Sequence, residues 1–218
     1  MPNEHRLFFR EFLNNFHTTG AIAPSSRWLA RALTHYVAQH PEPGRSRRIL
    51  EVGPGTGAVT QYLVPQLAPH DMLTLVELND RFVEHLRKRF DAEPVLREAA
   101  PRTDIVHNRL ERLDASHRYD VIVSGLPLNN FSVDQVRQIL DTFRQLLAPD
   151  GTLSFFEYMA IRPARSLIGR REDRKRLRGI GRALAELFAA GEARRQWVWT
   201  NLPPAWVHHV GGFGQNGV

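Results

Sequence analysis

Ile49-Leu50-Glu51-Val52-Gly53-Pro54-Gly55-Thr56-Gly57-Ala58-Val59-Thr60 is the stretch on which the fold turns. Arg48–Val52 is a short apolar run that reads as a buried strand. Three alternating glycines break it, and Val59, Tyr62, Leu63 and Leu67 then recur at helical spacing. Glycine tolerates the sharp turn and lets the backbone approach a ligand closely. Strand, glycine turn and helix in this order open a nucleotide-type cofactor site.

Working outward, strands and helices alternate. Met72–Glu77 reads as a second strand, followed by a helix capped by Asn79 or Asp80 that carries Phe82, Val83, Leu86 and Phe90. A short third strand lies near Asp104–His107 and a fourth at Tyr119–Val123. Ser132 with Gln135 forms a capping box ahead of a helix burying Val136, Ile139, Leu140, Phe143 and Leu147. Pro149-Asp150-Gly151 turns into strand five, Thr152–Tyr158, and an apolar helix follows at Ile180–Ala190. Gln196–Trp199 and Trp206–Val210 read as a closing antiparallel pair. Upstream, residues 4–17 form an amphipathic helix, and Ser25 or Ser26 caps a second helix ending near His40. The pattern predicts an α/β fold: a doubly wound, mostly parallel, seven-stranded Rossmann-like sheet with a terminal antiparallel strand and N-terminal helices. Residues 1–44 are expected to be the helical N-terminal part, 45–210 the sheet domain and 211–218 a disordered tail. Ligands on such sheets bind beyond the carboxyl ends of the strands. That end holds the glycine loop, Glu77, His107-Asn108 and Ser124-Gly125-Leu126-Pro127.

The 218 residues suit one domain and contain no cysteine, so a disulfide framework and thiolate chemistry are excluded. The N-terminus lacks a basic region followed by an apolar run, and no stretch reaches the roughly 20 apolar residues of a membrane span. The expected location is therefore the cytoplasm. Ten histidines show no ligand spacing, and His208-His209 on one strand would face opposite ways, so no metal is expected. The net charge of +6 is concentrated: nine basic and two acidic residues lie between Arg162 and Arg182, while the other 20 basic and 21 acidic residues nearly cancel. Such a segment attracts phosphates, on nucleic acid or on an anionic lipid surface, unless it is simply a solvated helix face.

The glycine loop alone is ambiguous, because Gly53-x-Gly55-x-x-Ala58 with Glu77 downstream also satisfies the dinucleotide fingerprint. Three features favour S-adenosylmethionine. Glu51 would repel a pyrophosphate but can accept from the amino group of a methionine moiety. No separate substrate domain follows. Ser124–Phe131 has no place in a dehydrogenase. Glu77 would hold two ribose hydroxyls.

Gly53-Pro54-Gly55-Thr56-Gly57, with Glu51 before and Glu77 after, resembles the first two motifs of class I S-adenosylmethionine methyltransferases. Ser124-Gly125-Leu126-Pro127-Leu128-Asn129-Asn130-Phe131 resembles the fourth motif of bacterial phospholipid N-methyltransferases, which methylate phosphatidylethanolamine or, in related enzymes, ornithine lipids. Gly20–Ser26 and Trp199–Ala205 match as well, so the resemblance spans nearly the whole chain. It implies a cofactor set of Glu51, Gly53, Pro54, Gly55, Thr56, Gly57, Glu77, Leu78, Asn108, Arg109, Ser124, Gly125, Leu126 and Ser25. Asn108 stands where the family often carries Asp, and its carbonyl oxygen can accept the same adenine hydrogen bond.

The substrate implied is a lipid amine met at an anionic membrane surface, on the inner face of the cytoplasmic membrane, by a monomer. Phe8, Phe9, Phe12 and Phe16 would enter the interface, unless their helix packs on the domain. Tyr158 and Asn129 are the candidate catalytic residues, Tyr158 to orient or deprotonate the amine or to face the growing cation. Pro127, Leu128 and Asn130 would line the amine pocket, with Arg162 and Arg165 gripping phosphate. Two other readings compete: a nucleic-acid adenine methyltransferase and a non-catalytic membrane adaptor of this fold. The adenine enzymes place an aromatic stacking residue where this chain has Leu128, so no nucleic-acid partner is expected.

Overall fold

The computed structural model describes residues 27–39, 44–158, 171–201 and 204–212. Its strands are β1 (Arg48–Val52), β2 (Met72–Glu77), β3 (Thr103–His107), β4 (Tyr119–Ser124), β5 (Leu147–Tyr158), β6 (Glu192–Val198) and β7 (Ala205–Gly211). They form one sheet in the order β3-β2-β1-β4-β5-β7-β6. β1 to β5 run parallel, and β7 is antiparallel to both β5 and β6. The strand order reverses between β1 and β4, and a crevice opens there at the carboxyl ends.

Side chains alternate between two buried layers, as the strand pleat requires. Ile49, Val121, Val123, Phe156 and Tyr158 face the helices α1 (Arg27–Leu33) and α2 (Thr60–Leu63), through Leu29, Leu33 and Leu63. Phe90, near the end of α3 (Asp80–Ala92), and Leu96, from the short helix α4 (Pro94–Ala99), join that layer. Leu50, Val52, Ile122, Leu153 and Phe155 face α5 (Val133–Leu146) and α6 (Arg171–Ala189). The expected caps are present: Asn79 Oδ1 accepts from the backbone N–H of Arg81 and Phe82, and Ser132 with Gln135 closes a capping box on α5.

Several boundaries differ from the sequence expectation. α1 stops at Leu33 rather than near His40: Thr34 Oγ1 donates to the Ala30 carbonyl at 3.0 Å, and the chain goes on in tighter turns, with the Val37 N–H donating to the Thr34 carbonyl at 2.9 Å. The Arg47 guanidinium donates to the carbonyls of Val37 (2.9 Å) and Gln39 (2.6 Å) while pairing with Asp71 at 2.6 Å. α2 is a single turn that tightens into a 3-10 turn at Val64–Gln66, since Pro65 brings no N–H to continue it. α4 was not anticipated; Pro94 opens it at a position where the missing N–H costs nothing. α6 begins at Arg171, not Ile180. Arg174, Lys175, Arg178 and Arg182 of the basic run lie on its exposed side, and Leu177, Ile180, Ala183, Leu184 and Leu187 are its buried stripe. β6 begins at Glu192 and is exposed as far as Trp197, so no alternation announces it, and the ladder with β7 holds it extended. Gly211 belongs to β7 rather than to a tail. The helix expected at 4–17 and its Phe8, Phe9, Phe12 and Phe16, together with Ser25, Ser26, Arg162, Arg165 and residues 213–218, lie outside the described residues.

Candidate cofactor and methyl-transfer site

The glycine loop is built for close approach. Gly53, Gly55 and Gly57 have φ of +67°, +58° and +80°, where a side chain would be strained. The loop is pinned from three sides. Glu77 Oε2 accepts from the Gly55 N–H at 3.0 Å, and its Oε1 accepts from Leu78 and Asn79 at 2.8 Å each. Arg89 of α3 donates to the carbonyls of Thr56 (2.7 Å) and Gly57 (3.0 Å) and is held by Glu93. Gly125 donates to Val52 at 2.8 Å, and a Cβ at 125 would sit 2.7 Å from the Gly53 carbonyl oxygen. Gly125 is thus the one residue type that lets the end of β4 lie against the start of the loop.

The adjoining cleft has a volume of about 280 Å³. The predicted residues Gly53, Glu77, Leu78, Asn108, Arg109 and Leu126 line it together. Its far wall was not foreseen: Leu110–Arg112, and Gln135, Gln138 and Ile139 from α5. The capping motif of α5 was legible, but nothing local in the sequence shows which helix faces the cleft. Asn108 Oδ1 already accepts from the Arg109 N–H at 2.9 Å, which fixes its side chain at the rim. Burial pushes the Glu77 carboxyl up against the opposing pull of its three backbone donors and His107.

Glu51 lies behind the loop and is 1 % exposed. Burial pushes its pKa up to about 8, with a smaller raising contribution from Glu77, while Thr60 and Arg89 draw it down. Thr60 is close enough to have this effect, yet among the described residues neither Glu51 oxygen nor Thr60 Oγ1 completes a hydrogen bond. A buried carboxylate without a partner is costly, and a bound cation relieves it. The donor set fits S-adenosylmethionine: Glu51 suits an ammonium, Glu77 suits paired hydroxyls, and the apolar wall of Val52, Val76, Leu126 and Ile139 suits a nucleobase.

After Ser124, whose Oγ accepts from the Leu126 N–H at 3.3 Å, the chain makes a 3-10 turn at Leu128–Asn130. Leu128 is packed into the core beside Phe131. Asn129 is buried, and its Oδ1 has no partner among the described residues. Asn130 donates its N–H back to the Pro127 carbonyl at 2.9 Å. Arg176 of α6 anchors the turn, donating to the carbonyls of Asn129 (2.7 Å) and Phe131 (3.0 Å). The sequence presented Arg176 only as one more charge in a basic run. Gly179 sets the approach: a Cβ there would meet Val133 Cγ2 at 2.6 Å.

Tyr158 stands apart from the cleft. It ends β5 on the α1 side, edge-on to Phe156, and burial pushes its pKa up to about 12. A phenol this weakly acidic keeps its proton at neutral pH, so it can orient an amine but not deprotonate one. His208 and His209 do face opposite ways. His208 stacks on Phe155, whereas His209 packs on Tyr36, and its Nδ1 is 2.8 Å from Ser154 Oγ.

A methyltransferase domain model matches residues 50–153. An ornithine lipid N-methyltransferase from Singulisphaera acidiphila is 28% identical over 152 residues, covering 68% of this chain and 74% of that protein. A ribosomal RNA small subunit methyltransferase A from Geobacter sulfurreducens is 42% identical, but over only 64 residues, or 29% of this chain and 22% of that protein. The crystal structure of an O-methyltransferase from Bacillus cereus in complex with SAH covers 93% of this chain and 90% of its own, with a TM-score of 0.65 at 14% identity. Sheet order, glycine loop, a Glu51 without a partner among the described residues and these likenesses agree, and the chain, with its Rossmann-like methyltransferase fold, is an S-adenosylmethionine-dependent methyltransferase that is similar over 68% of its length to an ornithine lipid N-methyltransferase.

Proposed function

We propose that the protein methylates the amino headgroup of a membrane lipid, phosphatidylethanolamine or an ornithine lipid, at the inner face of the cytoplasmic membrane. The observation that carries this reading is the 152-residue similarity to the ornithine lipid N-methyltransferase. The turn after β4 supports it. Gly125 leaves no room for a side chain against the Gly53 carbonyl, and Leu128 is packed into the core. Neither the polar residue nor the exposed aromatic ring of an adenine methyltransferase has a place there. The basic face of α6 supports it too: Arg174, Lys175, Arg178 and Arg182 are exposed and suit anionic headgroups.

S-adenosylmethionine, when bound, supplies a methyl group on a sulfonium. The protein's part is binding and alignment. Glu51 takes the ammonium end and Glu77 the ribose. An ammonium headgroup has no lone pair, so it must lose a proton before it can attack. Leaving water for a low-dielectric site lowers an amine's pKa, so the proton passes to solvent as the headgroup enters. Asn129 Oδ1, buried and without a partner among the described residues, would accept an N–H of the neutral amine and align it.

The test is incubation with methyl-labelled cofactor and vesicles containing phosphatidylethanolamine or ornithine lipid, with ribosomal RNA offered in parallel. Label in the lipid fraction is the expected result. Label only in RNA would overturn the proposal.

A further inference from the structure

Three of the chain's four tryptophans, Trp197, Trp199 and Trp206, lie together at one corner of the sheet, and none of the four is in the core. Trp197 and Trp206 face each other across the β6–β7 ladder, with ring centroids 3.5 Å apart. Trp199 stacks on Trp197 at 4.9 Å. Trp197 is 48 % exposed and Trp199 63 %. Burying such rings among themselves would release far more water than this arrangement does. The Arg195 guanidinium lies 4.0 Å over the Trp206 ring. On the other face of the sheet, Trp28 on α1 is 43 % exposed and carries Arg27 and Arg31 within 5.0 and 5.7 Å of its ring.

The register fixes which end of the molecule this is. Trp206 pairs with Glu157, next to the end of β5 at Tyr158, so the cluster lies at the carboxyl end of the parallel strands. The glycine loop and the Leu126–Asn130 turn are at that same end. α1 points the same way, because its C-terminal side is tied by Arg47 to the start of β1, which directs Trp28 towards the opposite end. Exposed indoles bordered by arginines have the composition of a bilayer–water boundary. There the ring body sits among glycerol and upper acyl groups, the indole N–H stays hydrated, and the guanidinium meets lipid phosphate.

We infer that the Trp197–Trp199–Trp206 corner, with Arg195 over it, docks onto the interface of an anionic phospholipid bilayer. The choice of a bilayer over a protein partner rests on the lipid-methylation reading, with the arginine border as its support on this surface. Docking here turns the cofactor end of the sheet towards the membrane, so a headgroup need not leave the bilayer to reach the site.

Because three of the four tryptophans belong to this surface, intrinsic fluorescence reports mainly on it without labelling. The full-length protein is mixed with vesicles of phosphatidylcholine and phosphatidylglycerol, with and without brominated acyl chains. Quenching by the brominated lipid is expected. The double substitution Trp197→Ala with Trp199→Ala is expected to weaken vesicle binding by about tenfold or more while leaving cofactor affinity within about twofold. Unquenched fluorescence on vesicle-bound protein would overturn the inference, and so would unchanged vesicle binding by a double variant that still binds cofactor. A tryptophan-dependent dimer in sedimentation without vesicle binding would overturn it in favour of a second copy of the chain. The same vesicles carrying ornithine lipid or phosphatidylethanolamine separate the two ideas: tryptophan-dependent docking without lipid methylation sinks the substrate reading alone, and methylation without quenching sinks the docking surface alone.

Discussion

Glu51 couples cofactor to proton. In the cofactor-free protein burial raises its pKa to about 8 from 4.5, so the folded state keeps a proton that the unfolded chain releases. Stability from this group is therefore present at low pH and declines as pH rises from about 4.5 towards 8. Glu51→Gln should flatten that decline, visible as a smaller fall in melting temperature between about pH 6 and about pH 8.5 than the parent shows. An ammonium ligand selects the ionised form, so cofactor affinity should strengthen with pH over the same range in the parent. The variant should bind cofactor weakly and with little pH dependence, a comparison that calorimetry of both proteins at several pH values would settle. Gly125 makes a second residue-scale prediction. Gly125→Ala puts a methyl 2.7 Å from a backbone oxygen that cannot swing away. It should cost about 1–3 kcal/mol in urea unfolding and lower cofactor affinity as the loop shifts. Glu51 was legible as a site residue from its place before the glycines, but its lack of a partner was not, because that depends on Thr60 and the whole packed face around it.

Among the elements, α6 does more than the sequence suggested. Its exposed side carries Arg174, Lys175, Arg178 and Arg182, its inner stripe packs on α5, and Arg176 reaches from it to hold the turn at Asn129 and Phe131. Arg176→Ala should lower kcat/KM by about tenfold or more while cofactor affinity changes little, since the turn, not the glycine loop, loses its anchor. Arg176→Lys should recover only part of this, because one ammonium cannot match the planar fork. Steady-state kinetics beside cofactor titration would check the split. Arg47 and Asp71 show the same dependence on tertiary structure. Burial works against the Asp71 charge, but the Arg47 hydrogen bonds and charge outweigh it and hold the carboxyl below its usual range. Removing one partner leaves the other buried alone, so Asp71→Ala should cost about 3–5 kcal/mol in chemical unfolding. Helix caps at Asn79 and Ser132 could be read locally because their partners lie within three residues. Arg47, Arg89 and Arg176 could not, because their partners are carbonyls brought near by the fold.

For the whole molecule, the relevant fact is that the glycine loop, the Leu126–Asn130 turn, the start of α6 and the tryptophan corner share one end of the sheet. If that end meets an anionic bilayer, replacing Arg174, Lys175, Arg178 and Arg182 with Gln should weaken binding to phosphatidylglycerol vesicles by up to about 4 kcal/mol, at about 1 kcal/mol per charge. Raising the salt should weaken the parent's binding in the same direction, and cosedimentation over a salt series would measure both. The sequence by itself determined the alternating order of strands and helices, the glycine loop and its acidic neighbours, because periodicity, glycine and capping act over a few residues. It also pointed to the cofactor, since loop and carboxylates lie on consecutive elements. The tertiary structure decided the rest. It extended α6 back to Arg171, placed α5 against the cleft, left Glu51 and Asn129 Oδ1 without partners among the described residues, and set Tyr158 apart from the cleft. It also gathered Trp197, Trp199 and Trp206 at one corner. Those outcomes depend on which surfaces meet across the sheet, and a long-range contact carries no local signature in the chain.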